Sequence, residues 1–346
     1  MYHCNMNKKA LLAFGIGLLV AFFLFTYLRK GTPRMQHISG LSMGTITYNV
    51  KYIGLPQEGL DVLIDDELKA FNQSLSTYIP DSEISTLNET GELTYSSSYF
   101  FPVMKMSEEI YEKTGGTFDP TIGPLVQAWG FGPDKRIPNL DSSQVDSLRL
   151  IVGFEKVTFD SMSATVPPNG QIDFSAIAKG YAVDLVGELL EENGIQDYLV
   201  EIGGEVRCRG INEEKKSWSL GIEDPMVDSG EQELLAIVRL RNKSLATSGN
   251  YRNYYEKDGK TYAHIIDPRT GYNAEHNLLS ASVFAEDCMT ADAFATAFMV
   301  LGTKDSKQII AANDIEAILI YQNEKGELKS YISEGIEPFV ELNKAK

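Results

Sequence analysis

The sequence predicts an α+β fold carried behind one N-terminal membrane-spanning helix. Three observations lead there. An uncharged apolar run fills residues 10–28. Beyond residue 40, strand-like segments come in runs rather than in strict alternation with helices, which favours α+β over a doubly wound parallel sheet. The 346 residues, 43% of them hydrophobic, can build one large or two ordinary domains at about 150 residues each. No low-complexity block, internal repeat or wide linker divides the chain after residue 40, so residues 41–346 read as one domain.

Charge narrows the function classes. The chain has 31 Lys and Arg against 48 Asp and Glu, a net charge of −17. A nucleic-acid binder needs a basic face to neutralise phosphates, so no nucleic-acid partner is expected. A phosphate-bearing ligand must be held by a metal ion or a local cluster of donors, because the global field repels it. The three cysteines, Cys4, Cys208 and Cys288, lack C-x-x-C spacing and support neither a disulfide framework nor a zinc site.

The elements follow in order. After a short leader, residues 1–9, the run Ala10–Leu28 contains 19 residues without a charge. As a helix it is about 28 Å long, close to the ~30 Å of a bilayer core. A cleaved signal has an apolar core of about 7–15 residues ending in small residues; this run ends in Phe25-Thr26-Tyr27-Leu28-Arg29-Lys30. An uncleaved anchor is therefore expected. The flanking charges are balanced, and the short leader favours a cytoplasmic N-terminus. That places the remaining chain outside the cytoplasm. Residues 29–40, with Gly31, Pro33 and Gly40, read as a linker.

Ile46, Tyr48, Val50 and Tyr52 alternate with polar residues as in a half-buried strand. Leu60, Ile64, Leu68, Phe71 and Leu75 recur at helical spacing. A second helix is expected from Val103 to Thr114, stopped by Gly115-Gly116. Further strands are expected at Tyr198–Ile202, Trp218–Ile222, Leu234–Leu240, Tyr262–Ile266, Leu279–Phe284 and Ala317–Tyr321. Helices are expected at about 176–192, 290–301 and 304–312.

Five segments carry the chemistry. The glycine- and proline-rich stretch Thr114–Leu125 reads as an ordered loop, in which Phe118, together with Trp129, walls a pocket. In Ile172–Asp184, Asp173 or Ser175 can cap a helix that carries Lys179 in its first turn. A cation there opposes the helix dipole, which is sensible if an anion also binds at that end. In Val200–Arg207, paired glycines interrupt a strand and suggest a bulge or a close backbone approach. His264 stands where a strand meets the Asp267-Pro-Arg-Thr-Gly271 turn, either as a satisfied core residue or as a base. Last, Asp287–Gly302 is a helix apolar nearly all round, with Asp292 and Thr296 one turn apart. A buried aspartate needs a partner. An arginine is one solution; a hard divalent cation held by carboxylate, hydroxyl and backbone oxygens is the other.

Taken in order, these segments resemble the ApbE family of FAD:protein FMN transferases. The resemblance runs from Met43-Gly-Thr45 to about Gly302. It includes Leu75–Ser85, the Gly116–Pro124 loop, Ala178–Asp184, His264–Gly271 and Ala291–Thr296. It implies a T-fold-like α+β catalytic domain that uses FAD and Mg²⁺. The implied reaction moves FMN onto a threonine or serine hydroxyl of a target flavoprotein and releases AMP. Implied acceptors are flavin-bearing subunits of redox-driven ion pumps and related extracytoplasmic flavoproteins. Carried over by position, Met43, Tyr78, Thr117, Phe118, Asp119, Asp173, Lys179 and Ile265 would contact FAD. Asp292, Thr296 and the Ala176 carbonyl would bind Mg²⁺, and His264 would be the general base. Two departures stand out: a helix replaces the lipidated cysteine of many relatives, and Met289 cannot supply a second carboxylate. FAD hydrolysis to FMN and AMP, or flavin binding without catalysis, are the competing readings.

Overall fold

The computed structural model describes residues 32–130, 140–225, 233–249, 254–257, 260–263 and 265–343. The expected leader and anchor, residues 1–28, lie outside the described residues. Among the described residues no helix is long and apolar enough to cross a membrane.

An eight-stranded antiparallel sheet organises the chain: β1 (Arg34–Ser42), β2 (Ile46–Gly54), β3 (Tyr198–Ile202), β4 (Glu205–Arg209), β5 (Lys243–Gly249), β6 (Leu278–Ala285), β7 (Glu316–Gln322) and β8 (Leu328–Ile332). Their order across the sheet is their order in the chain. Insertions of very different length separate neighbours; Val50 of β2 pairs with Val200 of β3. The helices are α1 (Leu60–Leu75), α2 (Glu83–Thr90), α3 (Phe100–Lys113), α4 (Gly123–Trp129), α5 (Ser142–Arg149), α6 (Ala178–Glu192) and α7 (Cys288–Ala312). Strands in runs and helices in insertions make this α+β, as predicted.

Strand alternation divides the core in two. Tyr198, Val200 and Ile202 face the helices with Ala317 and Leu319, in one large cluster with Leu68, Phe71, Val183, Val186, Phe294 and Phe298. Leu199, Ile318 and Ile320 point the other way. There they meet Trp218, Val238 and Leu240 of a second sheet, built from Trp218–Glu223, Leu234–Leu240 and Val340–Leu342.

Four expectations need correction. Residues 34–40 are not linker: Arg34–Ser42 pairs with β2 along its whole length. Gly40 lies opposite Tyr48, and a Cβ there would stand 2.6 Å from the tyrosine ring, so the glycine serves a cross-strand contact rather than a turn. Gly203-Gly204 is not a bulge but the two-residue turn of the β3–β4 hairpin. Both residues have positive φ, 60° and 103°, which such a turn favours. The loop expected through Leu125 enters α4 at Gly123, because Pro124 is tolerated in a first helical turn. The helices expected at 290–301 and 304–312 are both present, meeting at a kink at Gly302 (φ 75°, ψ 177°) within the span of α7. The strand expected at Tyr262–Ile266 is split into Lys260–Ala263 and Ile266–Asp267.

Candidate active site

A cavity of about 500 Å³ opens between the 117–122 loop, the start of α6, the end of β5 and the first half of α7. Its walls include Thr77, Tyr78, Thr117, Phe118, Asp119, Asp173, Ala176, Lys179, Ser248, Ile265, Asp292, Thr296 and Met299. Ten of the expected site residues therefore meet in one place. Met43 does not line the cavity; it occupies the β1–β2 turn at φ 47° and packs against the main core. His264 lies outside the described residues, although its neighbour Ile265 is on the wall. Trp129 is not on the wall. Its indole Nε1 donates to the Gly271 carbonyl (2.9 Å), and the ring belongs to a small core with Leu125, Val145 and Ile266.

Local bonding fixes the loops. The Asp119 carboxylate accepts from the Thr121 amide (2.8 Å) and hydroxyl (2.6 Å), which starts the turn Pro120–Ile122. Burial raises the Asp119 pKa to about 6, with the Thr121 bonds pulling down. The Asp173 amide donates to the Pro120 carbonyl (2.7 Å), joining the two loops. Asn88 clamps the Ile172 backbone through both its donor and its acceptor. Asp173 does not cap α6: its side chain accepts from the Ser175 amide (2.8 Å) in a turn, and α6 begins at Ala178 without a side-chain cap.

The uncapped start of α6 meets α7. The Gly180 amide donates to Asp292 Oδ2 (2.9 Å). In a regular helix that N–H would serve the carbonyl four residues back. The Ala176 carbonyl consequently receives no hydrogen bond among the described residues. Only glycine fits at 180, since a Cβ would lie 2.2 Å from the Cys288 carbonyl oxygen and 2.8 Å from Asp292 Cβ. Asp292 is 3% exposed and pairs with no arginine among the described residues. Burial pushes its pKa up, opposed by the Lys179 charge and the Gly180 bond. The Thr296 hydroxyl lies 3.3 Å from Ser248 Oγ.

Lys179 forms an ion pair with Glu205 Oε1 (2.6 Å) at the start of β4. Burial alone would lower the lysine, but the Asp292 and Glu205 carboxylates outweigh it and hold its pKa above the ordinary value. Glu205 is pushed up to about 7 by burial and by the Asp292 charge, against the pull of Lys179. Sequence reasoning missed this residue; its only signal was an acidic side chain directly after a two-glycine turn.

The donor set suits a hard cation. Asp292, Thr296 and Ala176 line the same cavity and offer a carboxylate, a hydroxyl and a backbone carbonyl, with no nitrogen or sulfur ligand among them. Among the described residues no three His, Cys, Asp or Glu side chains cluster as a metal site. A cation here would accordingly take its remaining oxygens from ligand phosphates and water, as Mg²⁺ commonly does.

Comparison with known proteins gives the family. The ApbE family model matches residues 43–319. The FAD:protein FMN transferase of Vibrio cholerae is 38% identical over 314 residues, covering 88% of this chain and 92% of its own. The protein of the same name from Escherichia coli is 33% identical, covering 97% and 98%. Among solved structures, the flavin transferase ApbE of V. cholerae superposes with a TM-score of 0.79 at 37% identity, covering 89% of this chain and 99% of that one. The Pseudomonas stutzeri flavinyl transferase ApbE in its apo form gives 0.79 at 30%, covering 89% and 98%. A family model matching most of the chain, with relatives at this identity along nearly the whole length, makes the chain a member of the ApbE family and an enzyme, a transferase.

Proposed function

We propose that this chain transfers FMN from FAD to a threonine or serine hydroxyl of an acceptor flavoprotein, releasing AMP, and requires Mg²⁺ to do so. The observation that carries the reading is the convergence of Asp292, Thr296 and the unpaired Ala176 carbonyl on the cavity that Lys179 also lines.

In this reading the acceptor oxygen attacks the FMN phosphorus, its proton passes to a base, and the bond to the AMP phosphate breaks. Phe118, Tyr78 and Ile265 supply apolar surface for the flavin, while Lys179 at the start of α6 faces the anionic end. Mg²⁺ held by Asp292, Thr296 and the Ala176 carbonyl would offset charge building on the pyrophosphate oxygens. His264, which precedes the cavity-lining Ile265 in the sequence, serves as the base. A hydroxyl is a poor nucleophile at neutral pH, and a positioned imidazole raises its rate about 10²–10⁴-fold. The acceptors are extracytoplasmic flavoproteins, including subunits of redox-driven ion pumps. Residues 10–28 hold the enzyme on the inner membrane with this domain on the outer side.

The test incubates the full chain in detergent with FAD, Mg²⁺ and a candidate acceptor, and looks for flavin fluorescence on the acceptor after a denaturing gel. Labelled acceptor is the expected result. Free FMN and AMP without labelling would make the protein a hydrolase, and unchanged FAD a binding protein. His264→Ala should retain FAD binding and lose labelling about 10²-fold or more; undiminished labelling removes His264 as the base. Asp292→Ala should lose both turnover and its response to Mg²⁺, so a variant still activated by the ion takes Asp292 out of the metal site.

A further inference from the structure

The charges at the inner wall of the cavity do not pair in the simplest way. Lys179, Asp292 and Glu205 form one cluster of two carboxylates and one ammonium, in which Lys179 and Glu205 each sense the Asp292 charge as well as each other. The Lys179 charge acts on Asp292, yet no ion pair joins the two. Its ammonium instead binds Glu205 Oε1 at 2.6 Å. Glu205 is 2% exposed and does not line the cavity, whereas Lys179 and Asp292 both do. The second Glu205 oxygen, Oε2, is buried without a hydrogen-bond partner among the described residues. A buried carboxylate left half-satisfied costs stability and calls for a compensating use.

The β3–β4 turn makes this arrangement possible. A Cβ on Gly203 would lie 3.7 Å from Lys179 Cδ and 2.8 Å from Ile46 Cγ2, so the lysine stem runs over a glycine. Two residues on, Glu205 stands ready to take the ammonium at the end of that stem. Were Glu205 neutral, Asp292 would be the carboxylate still acting on Lys179. A lysine paired there would occupy the carboxylate that the cation needs.

We propose that Glu205 is a positioning residue that draws the Lys179 ammonium away from Asp292 and so keeps the Asp292 carboxylate open to a divalent cation. The inference rests on the reading of Asp292 as part of a cation site and assigns Glu205 no contact with flavin, acceptor or metal.

A double-mutant cycle on the full chain in detergent tests it, with Mg²⁺ affinity measured by calorimetry and Mn²⁺ affinity by electron paramagnetic resonance, both without FAD turnover. Glu205→Gln keeps the shape and removes the charge; Lys179→Met removes the competitor. The expected result is roughly a tenfold loss of metal affinity for Glu205→Gln in the wild-type background, and less than a twofold change in the Lys179→Met background. Equal losses in both backgrounds would mean that Glu205 acts on the ion through its own charge, and would overturn the proposal. So would an unchanged affinity in the wild-type background, or a wild-type chain that binds neither ion. If Glu205→Gln does not fold, Glu205→Asp, shorter by one methylene, should give a smaller loss that again vanishes with Lys179→Met. Failure of the wild-type chain to label any acceptor would remove the transferase reading but leave this comparison of metal affinities intact.

Discussion

Residue by residue, the site depends as much on a missing side chain as on those present. Asp292, Thr296 and Lys179 are visible in sequence, because a carboxylate on a greasy helix and a lysine at a helix start are both physically odd. Gly180 is not, since a glycine inside a helix looks like nothing more than a weak point. Its meaning appears only when α7 is placed against it. Gly180→Ala would put a methyl group 2.2 Å from a backbone oxygen of α7, which cannot rotate away. The helices must part, at a cost of about 3 kcal/mol. The Gly180 amide would leave Asp292 as they separate. We expect a lower urea midpoint and a weakened Mg²⁺ response together; a variant that loses stability while keeping its metal response would uncouple the glycine from the site. Glu205 was hidden for a related reason, because its partner lies on another element and no spacing along one strand reveals it.

Among the elements, α7 bears the most constraint. Its first turn is anchored by Asp184 of α6, whose carboxylate accepts from the Cys288 and Met289 amides (2.8 Å each) and from Arg207 (2.9 Å). An anion at a helix N-terminus is favoured by the dipole, and here it also ties α6 and β4 to the helix that carries Asp292. The break at Gly302 is held by His276: one ring nitrogen lies 2.6 Å from the Met299 carbonyl, and Nδ1 accepts from the Leu278 amide. The sequence shows a gap between two helical patterns at this point but not the imidazole that fills it. Burial lowers the His276 pKa below 6.5. A base depressed in the folded state binds protons more readily when unfolded, so its contribution is present above about pH 6.5 and drains away as pH falls. The urea midpoint should therefore drop between pH 7.5 and 5.5 by more in the wild type than in His276→Asn. An equal drop in both would assign the acid sensitivity to other groups.

For the molecule as a whole, the class of fold was legible from strand runs and the absence of repeats, but the sheet was not. β2 and β3 are neighbours only because the chain returns after a long insertion that holds α1 to α6 and the cavity's loops. No local pattern encodes such a pairing, which is decided by closure of the whole core. Net charge, in contrast, is fully legible and has a kinetic consequence. A body at −17 repels an anionic dinucleotide as a whole, while Lys179 at the start of α6, partly neutralised by Glu205, attracts it locally. Screening shortens the reach of both fields, from about 30 Å at 0.01 M salt to about 8 Å at 0.15 M. The diffuse repulsion acts over the longer distance and is lost first, while the contact field inside the cavity survives. At fixed free Mg²⁺, KM for FAD should consequently fall about two- to threefold as monovalent salt rises across that range, with kcat nearly constant. A rise in KM would mean that attraction by local cations already dominates at long range, and that the acidic surface plays no part in FAD capture.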